Sequence, residues 1–97
     1  MRKMLFIFNP RSGKAQIRNR LMDILDIFTK AGYEVSVHVT QRPKDAMEVA
    51  AARGKDADII VCSGGDGTLN ETISGMMTLD RIPDLGYIPA GSTNDFA

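Results

Sequence analysis

The sequence predicts a three-layer α/β/α domain built around a doubly wound, mostly parallel sheet. Two observations carry that prediction. Short apolar runs alternate with stretches of helical spacing, in the order strand, helix, strand, helix, strand, helix, strand. The turn-rich loops 9–13, 63–67 and 89–95 each follow a predicted strand, so all fall on the edge where such sheets bind ligands.

Each element has its own signal. Met4-Leu5-Phe6-Ile7-Phe8 is an unbroken apolar run, as expected of a strand covered on both faces. From Ala15 to Ala31 the apolar positions Ile17, Leu21, Ile24, Leu25 and Phe28 recur at helical spacing, and Gly32 stands where a C-terminal glycine ends a helix. Tyr33 to Val39 alternates, with Val35, Val37 and Val39 on one side and Ser36 and His38 on the other, which predicts a second strand. Pro43 suits the first turn of a short helix that carries Ala46, Met47, Val49, Ala50 and Ala51 and ends at Gly54. Ile59-Ile60-Val61-Cys62 is a third buried strand. Helical spacing returns with Leu69, Ile73, Met76 and Met77, weakened by Gly75, and Leu85 to Ile88 forms a fourth, shorter strand. The expected architecture is Rossmann-like.

Composition narrows the function classes. The 97 residues suit one small domain, with 43% hydrophobic and 25% charged residues. Twelve basic residues balance twelve acidic ones, which argues against a nucleic-acid surface or a strongly basic membrane face. Cys62 is the only cysteine, so no internal disulfide forms and a reducing compartment is expected. The apolar run near the N-terminus is too short for a signal-peptide core or a membrane span. A cytoplasmic protein is expected, meeting a membrane only from the water side.

The richest motif is Gly64-Gly65-Asp66-Gly67-Thr68-Leu69-Asn70-Glu71, which opens a helix directly after a buried strand. Glycines permit positive φ angles and let a phosphate approach the backbone without meeting a Cβ. The free N–H groups and dipole of the following helix favour an anion. The plainer alternative is a tight strand-to-helix turn with Asp66 or Thr68 as N-cap. Neither the dinucleotide fingerprint nor the P-loop spacing fits. Asp66 is the unusual residue, because a bare carboxylate repels phosphate. It makes sense beside a Mg²⁺ ion, which joins one or two carboxylates to phosphate oxygens and keeps several waters. The alternative is a base toward a hydroxyl nucleophile. Both roles point to phosphoryl transfer.

Asn9-Pro10-Arg11-Ser12-Gly13-Lys14 also joins a strand to a helix, with Ser12 able to cap or to donate to phosphate. Gly91-Ser92-Thr93-Asn94-Asp95-Phe96-Ala97 offers hydroxyls and a second carboxylate, Asp95. Each of these loops alone resembles ordinary surface. Thr40, at the end of the second strand, lies on the same edge.

Together the three motifs resemble the diacylglycerol kinase catalytic domain of the bacterial lipid-kinase branch, with sphingosine and ceramide kinases as relatives. The resemblance covers the whole chain in order. It implies ATP bound by Asn9, Pro10, Arg11, Ser12 and Gly13, by Thr40, by Gly65, Asp66, Gly67, Thr68, Leu69, Asn70 and Glu71, and by Ser92. It implies Asp66 and Asp95 in a Mg²⁺–water network, and a lipid substrate at a membrane surface. Members of this family are about three times as long, with a second, β-rich sandwich domain that completes the lipid cleft and supplies the proposed base. The expectation is therefore that residues 1–97 are an N-terminal ATP-binding domain, inactive on lipid by itself. An apolar face left without that second domain would favour self-association. Two alternatives stand beside this reading: an NAD kinase or phosphofructokinase relative, which shares Gly-Gly-Asp-Gly, and a nucleotide-binding module without chemistry.

Three residue groups are assigned no site role. His38 has no second His or Cys nearby and sits on the polar side of its strand. Cys62 reads as a small core residue, and Met76 and Met77 continue the helical stripe.

Overall fold

The computed structural model describes residues 1–11 and 19–89. The sheet comprises β1 (Arg2–Phe8), β2 (Tyr33–Val39), β3 (Ile59–Gly64) and β4 (Asp84–Pro89). The helices are α1 (Leu21–Lys30), α2 (Asp45–Arg53) and α3 (Asp66–Met76), with a single 3₁₀ turn at Gly54–Asp56 after α2. All strand pairs are parallel, in the order β2-β1-β3-β4.

That order follows from the apolar run of β1. Met4 through Phe8 are all buried, so both faces of this strand need cover. Leu5 and Ile7 pack with Ala46, Val49 and Ala50 of α2, with Ile60 and Cys62 of β3, and with Met76 of α3. Met4, Phe6 and Phe8 pack on the opposite face with Val61 and with Leu21, Ile24, Leu25 and Phe28 of α1. Phe6 meets Phe28 edge-on at 5.8 Å between ring centres. One helix therefore covers one face and two cover the other. The chain leaves β1 for β2 over the first face and returns to β3 over the second, so the order reverses between β1 and β3. Crevices for ligands open at such a reversal, beyond the C-terminal strand ends.

The predicted elements appear with shifted ends. Gly32 has φ +97 and follows the end of α1, the left-handed position that favours glycine. The segment 12–18, where the sequence predicts the start of this helix, lies outside the described residues. Pro43 does not occupy the first turn of α2. The helix starts at Asp45, and Lys44 before it takes φ 70, so Pro43 belongs to the approaching loop. Gly54 closes α2 in a right-handed conformation, chosen for space: a Cβ there would stand 2.7 Å from a Leu79 methyl.

Gly75, which weakens the helical signal in sequence, is explained by packing. A Cβ at this position would overlap the Met47 carbonyl oxygen and lie 2.9 Å from the Ala50 Cβ. The glycine lets α3 approach the backbone of α2 directly. A Gly75→Ala change gains about 1 kcal/mol of helix propensity but overpacks against backbone, which costs about 1–3 kcal/mol. The expected result is a lower urea midpoint for unfolding. An unchanged or higher midpoint would show that the two helices separate freely.

Candidate functional site

The C-terminal ends of β1, β2 and β3 open onto one rim, and backbone hydrogen bonds continue the sheet past the strands. Thr40 N donates to Phe8 O at 2.9 Å, and Asn9 N donates to Ser63 O at 2.9 Å. The first residues of the loops after β2 and β1 are thus held in register with the sheet.

The glycine-rich segment behaves partly as expected. Helix α3 begins at Asp66 with Gly65 as N-cap, and no side chain among the described residues caps it. The alternative of Asp66 or Thr68 as N-cap is therefore excluded. The amides of the first turn, which a cap would engage, are left to another partner. The expectation of positive φ is corrected, because among the described glycines only Gly32 has it. Space is what these glycines supply. A Cβ on Gly64 would come within 2.6 Å of Thr68 Oγ1, so Gly64 lets Thr68 fold back over the end of β3. Among the described residues, nothing beyond their own chain neighbours and helix backbone comes within 4 Å of a Cβ on Gly65 or Gly67.

Thr68 is buried, and its Oγ1 accepts a hydrogen bond from Asn9 Nδ2 at 3.0 Å. Asn9 Oδ1 in turn accepts from Arg11 N at 3.0 Å. One side chain thereby shapes its own loop and joins it to the glycine-rich turn. Tyr87 of β4 donates its hydroxyl to Gly64 O at 2.9 Å, fixing that turn from the other side. Burial and the nearby Asp66 carboxylate push the Tyr87 phenol up, so it remains a donor.

These elements enclose a cleft of about 320 Å³. Asn9 and Arg11 come from the first loop, Thr40 to Pro43 from the loop after β2, and Gly67, Thr68 and Glu71 from α3, with Ala46 at the floor. Asp66 is exposed at the first position of α3. Asn70 is exposed on the same helix, whereas Leu69 turns inward against the core and its N–H is already used by Gly65 O at 3.2 Å. Half-buried Pro10 stands in the turn between Asn9 and Arg11. Ser12, Gly13, Ser92 and Asp95 lie outside the described residues.

The sequence reading missed one group of residues. His38, assigned no role above, bonds through Nε2 to Asp45 Oδ1 at 3.1 Å. Asp45 Oδ2 accepts from Gln41 N at 2.7 Å, and Lys44 N donates to Glu71 Oε2 at 3.1 Å. The signal available in sequence was an acidic residue seven positions after a histidine, with a strand-to-helix loop between them. Arg42, which lines the cleft, pairs with exposed Glu48 at 2.5 Å. The Arg42 partner lowers the Glu48 carboxyl, and Glu48 raises the Arg42 guanidinium.

Ser63 Oγ, buried at the end of β3, has no hydrogen-bond partner among the described residues. Cys62 lies in the core, where burial raises its thiol, so it is an inert packing residue.

The residues present suit a nucleotide triphosphate with its cation. The uncapped turn of α3 offers amides and a positive helix end, open space stands beside Gly65 and Gly67, and Asn9 and Arg11 lie opposite. Among the described residues no cluster of three His, Cys, Asp or Glu side chains converges on a metal position. Mg²⁺ needs none, since phosphate oxygens and waters complete its shell around one or two carboxylates. Asp66 supplies one carboxylate at the rim.

The family model of the diacylglycerol kinase catalytic domain matches residues 3–97. This chain belongs to that family. It is 44% identical to the diacylglycerol kinase of Bacillus subtilis (strain 168) over its whole length, covering 32% of that protein. It is 46% identical to the diacylglycerol kinase of Staphylococcus haemolyticus (strain JCSC1435), over 93% of this chain and 28% of the relative. A diacylglycerol kinase structure from Bacillus anthracis str. Sterne superposes with a TM-score of 0.84 at 31% identity, covering 98% of this chain and 35% of that one. The chain spans about a third of the length of the relatives it matches. No helix among the described residues is long and apolar enough to cross a membrane.

Hydrogen bonds to Asp45, from Gln41 N first and then from His38, hold its carboxyl below the usual carboxylate range. A carboxyl lowered by folding contributes stability above its ordinary value, about 3.9. That contribution is lost as pH falls through the folded value. The stability of the native chain should therefore fall below about pH 4, and fall less steeply in Asp45→Asn. Equal acid slopes in urea titrations would show that Asp45 gains nothing on folding.

Proposed function

We propose that this chain is the ATP-binding part of a lipid kinase that transfers the γ-phosphate of ATP to the hydroxyl of diacylglycerol or a related lipid. The observation that supports this most is the convergence of Asn9, Thr40, Gly67 and Thr68 on one cleft at the C-terminal rim of a parallel sheet, beside an uncapped helix. The family membership and the names of the matched relatives supply the acceptor class.

The residues take distinct parts in this reading. The amides of Asp66, Gly67 and Thr68 donate to phosphate oxygens. Arg11 contributes charge to the triphosphate, and Ser12, Gly13 and Ser92 are assigned to the same ligand. Thr40 and the segment after it form the opposite wall, and Glu71 fixes that wall through Lys44 N. Asp66 would hold Mg²⁺ through water, with Asp95 as its partner carboxylate. A cation held there would supply charge neutralisation for the phosphoryl group during transfer. The acceptor site and the base are assigned to the parts of the longer relatives that this chain does not span, and with them contact with the membrane surface.

Magnitudes limit what this part achieves. Hydrogen bonds to a charged phosphate contribute about 1.5–3 kcal/mol each. Two or three of these, after the cost of association, leave no more than about 5 kcal/mol, which corresponds to dissociation constants of hundreds of micromolar or weaker. The chain alone should bind Mg²⁺–ATP weakly and phosphorylate no lipid.

Two experiments test the reading. In calorimetric titration, Gly67→Val should abolish Mg²⁺–ATP binding without unfolding the chain, since no described residue beyond its chain neighbours and own helix backbone lies within 4 Å of the new Cβ. Unaltered binding by that variant would remove the cradle. The purified chain incubated with labelled ATP and diacylglycerol vesicles should form no phosphatidate, and turnover would overturn the division of labour.

A further inference from the structure

We infer that Asp45 is a positioning residue for the nucleotide, holding the 40–43 segment in place as the second wall of the cleft, an inference that rests on the nucleotide-binding reading. The segment is short, polar and exposed at Gln41, Arg42 and Pro43, and left to itself it would sample many conformations. Three tethers prevent this, each to a different part of the fold. Thr40 N donates to Phe8 O of β1 at 2.9 Å. Gln41 N donates to Asp45 Oδ2 at 2.7 Å. Lys44 N donates to Glu71 Oε2 of α3 at 3.1 Å, with Lys44 itself at φ 70.

Asp45 is the only one of these anchors that is a side chain within the loop's own helix. The ordinary use of an acid in a helix's first turn is attraction to the helix dipole. Asp45 does more than that. Its side chain is 11% exposed, and both oxygens are engaged away from its own helix, one by Gln41 N and one by His38 Nε2 at 3.1 Å. His38 belongs to β2, so the carboxylate bridges the end of the strand and the loop that leaves it. The loop it fixes contributes Thr40, Gln41, Arg42 and Pro43 to the cleft. A wall already in its bound shape spares the ligand the cost of ordering it. The lowered carboxyl agrees with this arrangement, because the charged form is the one that both donors favour.

The test compares Mg²⁺–ATP binding by this chain, Asp45→Ala and Asp45→Asn in calorimetry, with amide hydrogen exchange on the same samples. Asp45→Ala should bind about tenfold more weakly, equivalent to ~1.4 kcal/mol. Asp45→Asn keeps an oxygen for Gln41 N and should fall between, about two- to fivefold weaker. The Gln41 amide should lose protection in the alanine variant while those of β1 and β3 keep theirs. Equal affinities for all three proteins, with only their melting temperatures differing, would overturn the inference and leave Asp45 a structural residue. If Asp45→Ala does not fold, affinity of Asp45→Asn equal to that of the native chain overturns it in the same way. Loss of binding in the native chain itself would sink the nucleotide reading first, and this inference with it.

Discussion

Everything at the rim depends on the parallel ladder running past the ends of the strands. The bonds from Thr40 N to Phe8 O and from Asn9 N to Ser63 O carry sheet register into the loops, so functional residues far apart in sequence start from fixed positions. An antiparallel sheet would send neighbouring loops to opposite ends. Here each crossover helix returns the chain to the same starting edge, and each strand delivers its following loop to the same finishing edge. The Asn9–Thr68 hydrogen bond then turns two adjacent loops into one structure.

The glycines show how one residue type serves different constraints. Gly32 is needed for its left-handed φ, the use usually assumed. Gly64 and Gly75 are needed because something already occupies the place of a Cβ, a threonine side chain in one case and a neighbouring helix backbone in the other. Gly65 and Gly67 meet no such neighbour among the described residues, whose packing therefore does not account for them. The proposed phosphate ligand, approaching the amides of α3, would. That contrast separates packing from binding within four consecutive residues.

Much of this was legible in the sequence. The apolar run of β1 and the alternation of β2 follow from local periodicity, and the order of elements leads to the parallel sheet. The convergence of Asn9, Thr40 and the glycine-rich turn followed from the rule that strand C-terminal ends share an edge. The start of α2 was misread because Pro43 fits a first helical turn equally well as a loop, and the left-handed Lys44 that decides between them depends on a tertiary bond to Glu71. The role of His38 was invisible for a similar reason. Its partner is a carboxylate rather than a second metal ligand, and only the return of the chain from β2 into α2 brings the two together. Positive φ at the glycine-rich turn is the expectation from residue type, whereas at Gly64 the sterics of Thr68 select the residue.

Electrostatics completes the account. With no net charge on the chain, attraction to a triphosphate has to be local. On the proposed reading the end of α3 and Arg11 would supply it, while Asp66 would oppose it unless a cation intervenes. A second groove, lined by Lys3, Glu34, Ser36, Arg53 and Asp56, lies at the opposite edge of the sheet and carries charges of both signs. Amide chemical-shift mapping during titration with Mg²⁺–ATP discriminates between the two edges most directly. Binding at the C-terminal rim predicts shifts at Asn9, Arg11, Gln41, Gly65, Gly67 and Thr68, with Lys3, Arg53 and Asp56 unmoved. Shifts confined to the Lys3–Asp56 edge would contradict it.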